Sequence, residues 1–209
     1  MFDSQTLLIF IGSSIALALS PGPDNLFVLT QSMARGAKAG IMITLGLCSG
    51  LIFHTTAVAL GVAVIFKTSA FAFNLLKIVG AGYLLYLAYG AFKDASKTQL
   101  KTERLSLSLG ELYKRGIIMN ITNPKVSIFF LAFLPQFTNA ENGNVTLQVF
   151  ALGAIFMVCA FSVFSMIALL AGRIGDWFSK TEHGESILNK VAGTVFVGLA
   201  IKLLLSERS

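Results

Sequence analysis

Six apolar runs, at about 6–33, 40–66, 70–92, 113–137, 147–171 and 187–205, fill most of the chain. Each is near or beyond the roughly 20 apolar residues a helix needs to cross the hydrocarbon core of a bilayer. Backbone groups in hydrocarbon must be paired within the chain, so runs of this length fold as helices. Little sequence is left for a soluble domain. The expectation is an all-α integral membrane protein with six transmembrane helices, a single domain over residues 1–209. Composition agrees, because only 12% of the residues are charged, against about 25% in a soluble domain.

The formal net charge of +6 does not point to nucleic acid. The basic residues fall between the apolar runs instead of lining one helix face among aromatics, which makes them topology signals. Arg35 and Lys38 follow the first run; Lys93, Lys97, Lys101, Arg104, Lys114 and Arg115 lie around the third connection; Arg173, Lys180 and Lys190 lie around the fifth. The other side has Lys67, Lys77, Lys202 and Arg208. Eleven against four places the first, third and fifth connections in the cytoplasm and both termini outside. Trp177, beside Asp176, reads as a cytoplasmic interfacial anchor. The N-terminal "MFDSQ" has no positive n-region, so no cleaved signal peptide is expected. In the connection at about 93–112, Ser108 and Glu111 have capping-box spacing, which predicts a helix start there.

Two runs are interrupted. The first holds "LSPGPDNLFVL", with Pro21, Gly22 and Pro23 followed by Asp24, and the fourth holds "NPKVSIF", with Pro124 followed by Lys125. The third and sixth share L-x-K-x-x-G, Lys77 to Gly80 matching Lys190 to Gly193. Two halves are therefore expected, repeat one at about 1–92 and repeat two at about 113–209. With three spans in each, the second half enters the membrane from the opposite side, so the repeats are inverted. Spans one and four are then broken at their proline motifs, and such paired interruptions point to a transporter's binding site. Proline removes a donor and clashes with the preceding turn, and the freed backbone groups must face protein or a water-filled cavity. Donors at one half-helix start and acceptors at another half-helix end suit a zwitterion.

Asp24 is the sharpest candidate. A carboxylate inside a span costs about 2.5–3.5 kcal/mol on insertion scales, and it reads as a ligand for a substrate ammonium, a proton carrier, or a static partner of Lys125. Lys125 reads as a ligand for a substrate carboxylate, the neutralising partner of Asp24, or a snorkelling side chain. Asn25 and Asn123 bring a donor and an acceptor to each break, for ligand or for capping. His54, in "LIFHTT", reads as a proton relay or as a buried donor to a backbone carbonyl. Tyr83 is the deepest of Tyr83, Tyr86 and Tyr89 and is a candidate cavity residue, whereas Tyr89 near Lys93 reads as an interfacial residue. Gly46 and Gly50, like Gly36 and Gly40, form G-x-x-x-G, a packing face inside the chain or a dimer seam. Phe129, Phe130, Phe133 and Phe137 read as lipid-facing or packing residues.

With "SPGPDNLFVL" and "ARGAKAG" in span one, "GLCSGLIFHTTAVALGV" in span two, "LLKIVGAGYLLYLAYGAFK" in span three and "ITNPKVSIFFLAFLPQF" in span four, the sequence resembles the LysE/RhtB family of bacterial amino-acid exporters. The resemblance covers essentially the whole chain. It implies a small carrier of the bacterial inner membrane that expels amino acids or related metabolites, driven by the proton gradient and often a homodimer. It implies no cofactor and leaves the substrate open among several amino acids.

The expected mechanism is alternating access, with a zwitterion bound between the breaks of spans one and four and released as the halves rock. One rival is a membrane thiol-redox protein using Cys48 and Cys159, which lie in the middle spans of the two halves. No C-x-x-C accompanies them and nothing nearby lowers a thiol pKa, so two small apolar residues is the simpler reading. The other rival is a channel or a non-transporting subunit. Hydrolase or transferase chemistry has no support: there are two histidines, no G-x-S-x-G and no phosphate loop.

Overall fold

The computed structural model of the protein describes residues 2–68, 70–93, 107–171 and 184–205. Among them all regular structure is helical. The elements are α1 (Ser4–Leu19), α2 (Pro23–Arg35), α3 (Ala37–Thr68), α4 (Ala70–Lys93), α5 (Leu109–Ile121), α6 (Pro124–Ile128), α7 (Val145–Leu169) and α8 (Gly184–Leu205). Between α6 and α7 the chain winds through a π-helical turn, Phe129–Phe133, and two 3₁₀ turns, Leu134–Phe137 and Ala140–Asn142.

Two described helical stretches, Ala37–Gly61 of α3 and Val145–Leu169, are each long and apolar enough to cross a membrane. Two more qualify only as bent pairs: α1 with α2, bent by 58°, and α5 with Pro124–Phe137, bent by 50°. By length and composition the described residues therefore offer two to four spans, and α4 adds the shorter apolar stretch Ile78–Gly90. Both bends fall at the proline motifs, where proline forbids a continuous ladder.

The helices are arranged with apolar side chains outward and polar ones inward. On α7, Leu147, Val158, Met166 and Leu169 are exposed while Gln148 is buried. On α1, Leu8 and Leu19 are exposed while Ser13 and Ser14 are buried. This suits a hydrocarbon exterior, which rewards apolar surface and cannot satisfy a polar group. Several buried hydroxyls bond within their own helices, Ser14 Oγ donating to Phe10 O at 2.7 Å and Thr44 Oγ1 to Gly40 O at 2.9 Å.

Helix α3 runs through the centre, packed on α5 and α7; α1 packs on α7, and α4 on α8. The α3–α5 crossing is backbone on backbone. A Cβ on Gly46 would strike the Tyr113 carbonyl oxygen, and one on Gly116 would lie 2.5 Å from the Ile43 carbonyl oxygen. Gly50 meets the Asn120 side chain, and Gly153 of α7 meets Thr55 of α3. Gly46 and Gly50 thus form a packing face inside the chain rather than an outer seam. Gly36 ends α2 with φ 83°, a left-handed conformation that favours glycine, so Gly36 and Gly40 do not share one helix face. Phe129, Phe130, Phe133 and Phe137 are buried rather than lipid-facing, packed on one another, Phe10 and Phe156.

The capping box expected at Ser108 forms: the Glu111 backbone N–H donates to Ser108 Oγ at 3.3 Å, and the Ser108 backbone N–H donates to Glu111 Oε2 at 2.6 Å. Lys93 Nζ lies 5.7 Å from the Tyr89 ring centre, in keeping with an interfacial position. Lys97, Lys101, Arg104, Arg173, Asp176, Trp177, Lys180 and Arg208 lie outside the described residues, as do the side chains of Lys67, Lys77 and Lys202.

Candidate functional site

The two interruptions are built on one local plan. Gly22 caps α2 and Pro23 opens it; Asn123 caps α6 and Pro124 opens it. Proline suits the first helical position because its missing N–H would have no intrahelical partner there. The next residue in each case is the charged one, Asp24 or Lys125. Both sit in a first helical turn, and both are almost wholly buried, at 1% and 7% exposure.

The two charges act on one another through space, but their hydrogen-bond partners are not each other. Among the described residues no ion pair joins them, and each instead crosses to the other break. Asp24 Oδ2 accepts from Asn123 Nδ2 at 2.8 Å. Lys125 Nζ donates to Ser20 O at 3.0 Å and Leu17 O at 3.4 Å, carbonyls at the C-terminal end of α1. The helix dipole explains the division. A carboxylate is favoured at the positive start of α2, whereas an ammonium at the start of α6 is disfavoured unless it reaches the negative end of another helix. Lys125 does so on α1, whose last carbonyls have lost their donors to the break.

Asn123 is the hinge of the arrangement. Its Oδ1 accepts from the Lys125 backbone N–H at 3.0 Å, capping α6, while its Nδ2 holds Asp24. Asn25 Nδ2 ties α2 back to α1 through Ala18 O at 2.6 Å. Pro21 and Gly22 form the extended link between α1 and α2, and a Cβ on Gly22 would come within 3.1 Å of Lys125 Nζ.

A small cavity of about 10 Å³, room for about one water, opens beside the charged residues. It is bounded by Asp24, Lys125 and Asn120 and by apolar side chains of α1, α3, α6 and α7. Asp24 Oδ1 and Asn120 Oδ1 are buried without a hydrogen-bond partner, and Asn25 Oδ1 and Ser20 Oγ nearby in sequence are in the same condition. An unpaired buried acceptor costs about 1–3 kcal/mol, more when charged. Asp24, Asn120 and Lys125 thus bring a carboxylate, an amide and an ammonium to the boundary of one cavity.

His54 lies on α3, its Nε2 3.1 Å from Asn120 O, with its ring 5.7 Å from that of Phe130. A carbonyl only accepts, so Nε2 carries the proton, and the contact holds α3 against the last turn before the α5–α6 break. Of the expected residues, Asp24, Asn25, Asn123 and Lys125 come together, and His54 adjoins them through Asn120. Tyr83 does not join them: it sits half-buried on α4, its ring 5.9 Å from that of Tyr86, and does not bound the cavity. Asn120 and the α7 residues Phe156, Ala160 and Phe164 bound the cavity but went unnoticed in the sequence. Asn120 lies three residues before Asn123 and was legible as a second amide at the break. The α7 residues carry no local signal. Cys48 and Cys159 are both free, and Cys48 Sγ lies 3.9 Å from Met157 O.

The profile of the LysE-type translocator family matches residues 15–207. The chain is 34% identical over 199 residues to the homoserine/homoserine lactone efflux protein of Salmonella typhimurium, covering 95% of each chain. It is 30% identical to the leucine efflux protein of Salmonella choleraesuis, over 93% of this chain and 92% of that one. It is also 30% identical to the uncharacterized membrane protein YrhP of Bacillus subtilis, over 97% and 100%. No solved structure matches the chain. A family match from residue 15 to residue 207, with relatives aligned over nearly the whole length, means that this chain belongs to the LysE-type translocator family and is a multi-pass membrane transporter, not an enzyme.

Proposed function

We propose that the protein is a secondary active exporter of amino acids, working by alternating access and driven by the proton gradient. The names of the homoserine and leucine efflux relatives support the substrate class. The observation that carries the mechanism is the crossed pair of helix starts. Asp24, with Oδ1 unpartnered, faces a donor-seeking cavity, while Lys125 is docked on the carbonyls of Ser20 and Leu17. A zwitterion is complementary to both. Its ammonium meets Asp24 Oδ1 and Asn120 Oδ1, and its carboxylate draws Lys125 from α1. Asn25 and Asn123 hold the two breaks in register around it. Protonation of Asp24 outside would release the ammonium, with His54 one contact away through Asn120. Moving one charge through the membrane potential yields about 2.3 kcal/mol per 100 mV, enough for roughly a fiftyfold gradient.

In this reading the chain is six spans in two inverted halves, about 1–92 and 113–209, joined by a cytoplasmic connection at about 93–112, in a bacterial inner membrane with both termini periplasmic. The packing supports it. Helix α3 meets α5 as α7 meets α1, and α3 meets α7, the exchange of partners that a twofold relation between halves requires. A homodimer remains part of the proposal through the family resemblance alone.

The test is transport of labelled amino acids by the purified protein in liposomes, with and without an imposed pH gradient, against Asp24→Asn. Gradient-stimulated flux that falls at least about tenfold in Asp24→Asn is expected, the equivalent of about 1.4 kcal/mol of lost interaction. Unchanged flux in the variant would remove Asp24 from the mechanism. No flux across a broad panel by folded protein would overturn the exporter reading.

A further inference from the structure

We propose that the contact between Arg115 of α5 and Phe27 of α2 is the latch of a gate between the cavity and the cytoplasm. The inference rests on the exporter reading, since a gate serves a carrier.

Each broken span lays its first part against the second part of the other. Helix α1 meets the stretch after α6 through Phe10, Phe129 and Phe137, and α5 meets α2 through Arg115 and Phe27. Counted from the break prolines, Arg115 is placed on α5 as Ser14 is on α1, nine residues before the break, and Phe27 is placed as Ile128 is, four residues after it. The two seams are thus counterparts on opposite sides of the breaks, and they are closed differently. The α1 seam is filled by Phe10, Phe129, Phe133 and Phe137, all buried, with Phe10 edge-on to Phe137 at 5.0 Å. Among the described residues the α2 seam holds no such aromatic cluster. There, on the side that charge bias assigns to the cytoplasm, the exposed guanidinium of Arg115 lies 5.1 Å from the ring centre of half-buried Phe27. That is a cation–π contact, weak enough at an exposed site to break and re-form.

Its place in the chain makes it a cover for the cavity. Phe27 is three residues from Asp24 and Arg115 five from Asn120, both at the cavity boundary. At the rise of a helix the contact stands about 5–8 Å from that boundary. Helix α2 is also the element built to move. Glycines bound it at both ends, Gly22 and Gly36, so it shifts as a short rod while its neighbours hold their places. The surface behind it is smooth, Ser32 lying against Gly40 of α3 with Ala168 of α7 beside them. Helix α5, by contrast, is fixed on α3 by the backbone contact at Gly46.

Met119 reports on the latch, because it is half-buried and lies one turn past Arg115 toward the break on the same face of α5. In a Cys48→Ser/Cys159→Ser background, the rate at which Met119→Cys reacts with a membrane-impermeant maleimide is measured in inside-out and right-side-out vesicles. Arg115→Gln and Phe27→Leu are each expected to raise the rate from the cytoplasmic face about tenfold, and to leave the outer face unchanged. The double variant should rise no further than either single one, since both remove the same contact. Arg115→Lys keeps a cation over the ring and should stay within about threefold of the parent. Unchanged rates, additive rises or equal rises from both faces overturn the latch. Amino-acid flux is read separately in liposomes. Flux with unchanged labelling overturns the latch and leaves the exporter reading standing, whereas no flux across a broad panel overturns the exporter reading and the gate with it.

Discussion

At the scale of single residues, Asn123 joins the two breaks. Its carbonyl oxygen caps α6 and its amide holds Asp24. The two roles separate by substitution. Asn123→Ser keeps a capping hydroxyl but no longer reaches Asp24, whereas Asn123→Ala loses both. A lost cap costs about 1 kcal/mol, and a buried carboxylate deprived of a donor costs about 1–3 kcal/mol or more. Thermal unfolding of the detergent-solubilised protein should rank wild type above Ser and Ser above Ala; equal midpoints for the two variants would show that the cap is inconsequential. The sequence already marked Asp24, Asn25, Asn123 and Lys125, since polar groups beside intramembrane prolines are too costly to be idle. It did not reveal that Asp24 and Lys125 choose different partners. That choice turns on where the α1 carbonyls end relative to the long Lys125 side chain, a matter of about 3 Å that no spacing rule encodes.

At the scale of elements, glycines set how closely helices approach. Gly46 and Gly116 bring α3 and α5 into backbone contact, and a Cβ on either meets the opposing main chain, which cannot rotate away. Gly12 of α1 faces open space. Gly46→Ala and Gly116→Ala are therefore expected to destabilise by about 1–3 kcal/mol through overpacking. Gly12→Ala should be neutral or stabilising by about 0.5–1 kcal/mol through reduced backbone freedom. Unfolding midpoints of the three variants check this, and a tolerated Gly46→Ala would show that the crossing is looser than described. The G-x-x-x-G pattern was visible in the chain, but a pattern of small residues says only that something approaches closely. Which surface it meets, α5 in this case, is decided by the arrangement of all the helices. The Ser108 capping box, by contrast, depends on four adjacent residues and was readable as it stands.

At the scale of the whole molecule, the loop at Ala140–Asn142 and the start of α5 should lie on opposite sides of the membrane. The bias of lysine and arginine puts the α5 start inside. In a Cys48→Ser/Cys159→Ser background, Glu141→Cys is expected to react with a membrane-impermeant maleimide in intact cells, and Ser108→Cys only after the cells are opened. The reverse pattern would invert the topology, and equal labelling of both would contradict the spanning reading of the helices between them. Hydrophobic run length, proline breaks and charge bias are local properties, so the sequence by itself determined that the chain is helical, where it bends and which residues the bends carry. The tertiary structure alone decided that the two bends meet, that Lys125 docks on α1 and Asp24 on Asn123, that Tyr83 stays outside, and that Asn120 and one face of α7 close the cavity. Those contacts join residues about a hundred positions apart, and their geometry depends on how α3 packs against α5 and α7 at once.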